Sequence, residues 1–129
     1  MVETKTSRIS LLEPDVLRIE YKADCFVDVQ EFTENMAAYR QVMQTEKAYI
    51  LTIANDGAEP SPEVRNIFAS KERSEFKIAE AFVISSIAQR ILANFVMKVQ
   101  RPSHPPLKFF NSEKEAKEWL YKQRELVAP

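Results

Sequence analysis

A single glycine, Gly57, stands among the 129 residues. Phosphate-cradling loops of the Gly-x-Gly-x-x-Gly and Walker kinds need several glycines, because backbone amides must come close to the phosphate. Neither loop can be built here, and the Gly-x-Ser-x-Gly nucleophile elbow is absent too. One cysteine, Cys25, excludes an internal disulfide and points to a reducing compartment. Without a Cys-x-x-Cys partner it reads as a plain half-buried thiol. One histidine, His104, beside one cysteine leaves too few ligands for a structural zinc site. A surplus of one charge is also missing. Lys and Arg number 18 against 19 Asp and Glu, a formal net charge of -1, and the basic face that nucleic acid requires is not indicated. The most apolar stretch, "IAEAFVISSIAQRILANFVMKV", is interrupted by Glu80, Gln89, Arg90 and Asn94, which argues against a membrane span. "MVETKTSRIS" lacks the apolar run of a signal peptide. The expectation is a cytoplasmic protein with no cofactor, no metal, no nucleic-acid partner and no integral membrane segment.

What is present is enough for one domain over residues 1–129, with 45% hydrophobic residues to build a core. "RISLLEPDVLRIEYK" reads as a hairpin. Leu17, Ile19 and Tyr21 alternate with Arg18, Glu20 and Lys22, and Glu13, Pro14 and Asp15 supply the turn. In "DVQEFTENMAAYRQVMQ", Val29, Phe32, Met36, Tyr39 and Met43 form one helical stripe, and Asp28 with Glu31 has capping-box spacing. Tyr49 to Ala54 is apolar apart from Thr52, the pattern of a central strand covered on both faces. Ser61 followed by Pro62 starts a short helix, with Val64, Ile67 and Phe68 facing inward. "IAEAFVISS" is a second buried strand and "SIAQRILANFVMKVQ" its helix. "PLKFF" and "SEKEAKEWLYKQREL" close the chain as a strand and a helix. The order β-β-α-β-α-β-α-β-α predicts an α/β fold, a mixed sheet of about five strands with about four helices.

Residues 79–120, "AEAFVISSIAQRILANFVMKVQRPSHPPLKFFNSEKEAKEWL", carry a small apolar strand, a helix with Arg90 and Asn94, a proline-bearing loop, then "KFF" and "EAKEWL". This stretch resembles the C-terminal half of the SpoIIAA-like proteins of the wider STAS group. The resemblance implies a SpoIIAA-like fold and a non-enzymatic role in regulation or protein interaction, with a homodimer as one form of it. STAS domains acting as anti-anti-sigma factors carry a phosphorylatable serine at the start of the helix after the central strand, usually within Asp-Ser-Ser-Gly. The corresponding segment here, "NDGAEPSPEV", holds Asp56 and Ser61 without that motif. Ser61 is therefore the candidate phosphosite, beside its plain reading as a helix cap. STAS proteins also resemble Sec14-type lipid carriers. An apolar-ligand or lipid module is thus the alternative, with Phe82, Phe95, Met97, Phe109 and Phe110 as the residues to line a pocket.

Other candidates come from the residues alone. Ser85 and Ser86 lie where a buried strand meets a helix, a place where open α/β sheets bind ligands. With Asn55 and Asp56 they form a candidate ligand or anion site; capping is the plainer role. Lys98, Arg101, His104 and Lys108 make a small basic cluster, and Ser103, His104 and Asp56 supply the residue types of a hydrolytic triad without its spacing. On a helical wheel, Ile87, Ala88, Ile91, Leu92, Phe95, Val96 and Val99 sweep about half the circumference. Ala93, Val96 and Met97 are the candidate partner surface. The last helix starts at Ser112 with Glu115 at capping-box spacing, and Trp119 is expected to close the core.

Overall fold

The computed structural model describes residues 1–68, 76–99 and 105–127. A six-stranded sheet runs in the order β1-β2-β3-β5-β7-β8. Its antiparallel edge comprises β1 (Val2–Glu3), β2 (Ser7–Glu13) and β3 (Val16–Tyr21). β5 (Ala48–Ala54), β7 (Lys77–Val83) and β8 (Leu107–Phe110) continue from β3 in parallel. Parallel neighbours require crossovers, and α1 (Val29–Val42), α2 (Pro62–Phe68), α3 (Ile87–Val99) and α4 (Glu113–Val127) alternate with the strands as that rule demands. β4 (Phe26–Val27) and β6 (Glu59–Pro60) form a separate two-stranded parallel ladder. The expected order therefore holds once β1, β4 and β6 are added. Each spans two residues, too few to show the alternation that marks a strand.

Every residue of β5 is buried, the pattern of a strand covered on both faces. One face carries Leu17, Ile19, Tyr21 and Ile50 against Ala38 and Tyr39 of α1 and Val64 of α2. The other carries Tyr49, Leu51, Ala79, Ala81 and Phe110 against Ala116 and Leu120 of α4, with Trp119 partly buried beside them. Among the described residues α4 alone thus packs this second face, while α1, α2 and α3 share the first.

Local signals account for the helix starts. Asp28 and Glu31 make a reciprocal capping box on α1. The Glu115 amide donates to Ser112 Oγ at 3.2 Å at the head of α4. The expected α1 stripe is shifted. Val29 is exposed, and Asn35 is fully buried instead. Its carbonyl oxygen accepts from Thr4 Oγ1 at 2.6 Å and Ser7 Oγ at 3.0 Å, and its amide donates to Thr6 Oγ1 at 3.0 Å. These bonds fasten the β1–β2 turn to α1 and satisfy a buried amide that would otherwise be costly.

Gly57 explains the one glycine. Its φ is +78°, and a Cβ there would stand 2.0 Å from Asp24 Oδ1. Two loops approach each other at this point, joined by the Asp24 amide on the Asp56 carbonyl at 2.9 Å.

Candidate functional site

The structure brings Asn55, Ser85 and Ser86 together at the carboxyl ends of β5 and β7. Ser85 Oγ donates to the Ala54 carbonyl at 2.7 Å. The Asn55 side-chain amide donates to the Tyr21 carbonyl at 2.9 Å and to Glu20 Oε2 at 3.0 Å. That bond, with help from Arg18, holds the Glu20 carboxyl below the usual carboxylate range. The organiser is Gln89, a buried residue that sequence reasoning treated only as an interruption. Its Oε1 accepts the Ser85 amide at 2.7 Å, and its Nε2 donates to the Asn55 and Ala58 carbonyls at 2.9 and 3.3 Å. The Gln89 amide in turn donates to Ser86 Oγ at 3.2 Å. These groups are spent on one another. They clasp the start of α3 to the end of β5, while Asp56 and Ser85 are exposed to solvent.

Ser61 is buried. The Val64 amide donates to its Oγ at 3.1 Å and the Arg65 amide to its carbonyl at 2.9 Å, so it caps α2. A kinase would have to open that helix start to reach it.

The candidate partner surface is corrected. Ala93 and Val96 are buried, turned toward the sheet with Gln89, and Met97 is exposed to one side. The outward face carries Ile87, Ile91 and Phe95, exposed by 81%, 65% and 49%. The physical reason lies in Gln89. Its bonds to the Asn55 and Ala58 carbonyls face the sheet end, and Ala93 and Val96, one and two turns on, follow it inward. The more hydrophobic arc is left in water.

Two concavities flank α3. Beneath it an apolar cavity of about 60 Å³ is lined by Tyr21, Phe82, Leu92, Val96, Leu107 and Phe109, among others. Phe82 and Phe109 stack within it at 5.2 Å between centroids. Of the other aromatics expected there, Phe95 faces outward and Phe110 packs on Trp119 on the opposite face. Beside it, a groove of about 540 Å³ runs between α2 and α3, its walls including Pro60, Pro62, Arg65, Ala88, Ile91 and Phe95. Arg65 Nε is buried there without a hydrogen-bond partner among the described residues. Glu59 is the carboxylate on the groove wall.

A buried polar group in the core also escaped the sequence reading. Lys77 Nζ meets Glu80 Oε1 at 2.9 Å, and Thr52 Oγ1 donates to Glu80 Oε2 at 2.8 Å. Tyr21 and Tyr39 share a hydrogen bond of 2.9 Å nearby. The signals were Thr52 in an apolar central strand and Glu80 between two alanines. Cys25 is half-buried, and burial pushes its thiol pKa up, which weakens it as a nucleophile. Arg101, Ser103 and His104 lie outside the described residues. Among the described residues no cluster of His, Cys, Asp and Glu is suited to hold a metal ion, and no helix is long and apolar enough to cross a membrane.

No curated protein and no solved structure matches the chain. The family model described as Domain of unknown function (DUF7793) matches residues 10–124, nearly the full length, and the chain belongs to that family.

Proposed function

We propose that this chain is a non-enzymatic interaction domain, SpoIIAA-like (STAS) in kinship, that binds another polypeptide along the outer face of α3 and the α2–α3 groove. The observation that carries this reading is the exposure of Ile87, Ile91 and Phe95 on three successive turns of one helix. Single exposed apolar side chains are ordinary, but an aligned set beside a groove marks a contact surface. Full burial of each side chain on binding contributes roughly 1.5–3 kcal/mol before association costs. Size directs the choice between the two concavities. The groove, at about 540 Å³, falls in the ~300–1,000 Å³ range of ligand sites, and the 60 Å³ cavity lies far below it. This favours binding at the surface groove over a lipid in the interior. Kinship with the STAS group is supported by the β-β-α-β-α-β-α-β-α order of the longer elements.

A photo-crosslinking amino acid at position 91, with a control at exposed Glu118 of α4, tests the reading in the producing cell. Crosslinks from position 91 and not from 118 are expected. Ile91→Ser and Phe95→Ser should remove contacts made by the face while leaving unfolding free energy within about 0.5 kcal/mol. No crosslink at 91, or a large loss of stability in both serine variants, makes the stripe a packing feature and overturns the reading.

A further inference from the structure

The surface around α3 is charged in a pattern that fits itself. At the amino-terminal end of α3, the groove passes Gly57 and Glu59. Asp24 stands against Gly57, and Asp56 precedes it. Asp24, Asp56 and Glu59 are all exposed, and no ion pair engages them among the described residues. At the other end lies Lys98, three residues after Phe95 on the same exposed stripe, also without an ion pair. Arg65 adds a second cation on the groove wall, without an ion pair among the described residues. α3 itself contains no acidic residue. The patch therefore has an acidic end, an apolar middle of Ile87, Ile91 and Phe95, and a basic end.

An isologous interface puts each element against its rotated copy. A twofold axis near Ile91 would set two α3 helices antiparallel, apolar middle on apolar middle. From Ile87 to Lys98 a helix rises about 16 Å, so the axis carries Lys98 of one copy over the acidic end of the other. Exposed Phe26, paired with Glu59 across the β4–β6 ladder, extends the apolar area on the acidic side. We infer that the occupant of this face is a second copy of the chain, joined as an antiparallel, charge-complementary dimer through α3. This rests on the interaction reading above and names its partner.

Sedimentation velocity of the purified protein over a concentration series tests it, with two charge-reversal variants, Asp56→Lys/Glu59→Lys and Lys98→Glu. All of these side chains are exposed, and circular dichroism melts verify folding. The wild-type chain should dimerise. Each variant alone should dimerise about tenfold more weakly, since every rim contact occurs twice across a twofold axis. An equimolar mixture of the two variants should recover near-wild-type association, because the lysines introduced in one copy then face the glutamate that Lys98→Glu introduces in the other, while the first copy's Lys98 faces an intact acidic end. A wild-type chain that stays monomeric at high concentration overturns the inference. So does a mixture that fails to recover while both variants remain folded. Crosslinks from position 91 to a different polypeptide, beside a monomeric purified protein, would leave the interaction reading standing and remove the second copy. Absence of both crosslinks and dimer removes both.

Discussion

Gly57 is the residue whose identity the backbone dictates most tightly. A left-handed φ disfavours any side chain here, and a Cβ would stand 2.0 Å from Asp24 Oδ1, so that carboxylate would have to move for alanine. Gly57→Ala is expected to cost about 1–3 kcal/mol, through strain at positive φ and displacement of Asp24. Urea denaturation measures it, and a change within experimental error would mean that the two loops separate freely. The Lys77–Glu80 pair sets a different test. Both groups are buried, and removing one partner strands a charge in a low-dielectric core. Lys77→Met should therefore destabilise by about 3–5 kcal/mol, while Lys77→Met with Glu80→Gln should recover part of that loss. A double-variant loss equal to the sum of the losses of Lys77→Met and Glu80→Gln alone would show that the pair is not energetically coupled.

At the scale of elements, what was legible followed the length of the periodic signal. β3 and β5 were readable because alternation and continuous burial ran over six residues or more, and α4 because its cap is written locally at Ser112 and Glu115. β1, β4 and β6 were not, because two-residue strands are made by the neighbours they pair with. α3 shows a different limit. Its position was plain, yet its rotation was not, because the apolar arc wraps about half the helix and hydrophobicity alone cannot pick the buried side. Gln89 decided it through bonds to carbonyls 31 and 34 residues away in sequence, which no local pattern contains. Of the candidate ligand set Asn55, Asp56, Ser85 and Ser86, the structure joins Asn55, Ser85 and Ser86 through a clasp of hydrogen bonds centred on Gln89. The closing latch reads more simply. Trp119 packs on Phe110 with centroids 5.8 Å apart, and it is partly exposed. Trp119→Ala should cost about 3 kcal/mol, at the low end for aromatic truncation. A loss under about 1 kcal/mol in chemical denaturation would make α4 peripheral to stability.

For the whole molecule, the asymmetry of the sheet matters most. Among the described residues one face is shared by three helices and the other rests on α4, so the attachment of α4 governs how the domain holds together. Ion pairs fix both of its ends. Arg18 on β3 grips Glu113 at the head of α4 with two bonds of 3.1 Å, and it also reaches Glu20. In the last turn, Arg124 meets Glu13 at 2.9 Å and Asp15 at 3.2 Å at the β2–β3 turn. The Arg18 bonds hold the Glu113 carboxyl below its ordinary value of 4.5, Arg124 does the same to Glu13, and Asn55 followed by Arg18 does so to Glu20. A carboxylate whose pKa is depressed by folding binds fewer protons in the native than in the unfolded chain. Its contribution to stability is present above pH 4.5 and is lost as the pH falls through the lowered folded value. The pairs are part-exposed, so screening keeps each contribution modest. Urea midpoints should therefore be flat from neutral pH to about 5 and then fall steadily toward pH 3. Arg18→Gln should lower the plateau and flatten that fall, because Glu113 and Glu20 would then titrate nearer their unfolded values. A variant that keeps the wild-type slope while losing the plateau would mean that Arg18 holds α4 through the packing of its stem, and that the charges at this end of the helix do not anchor it.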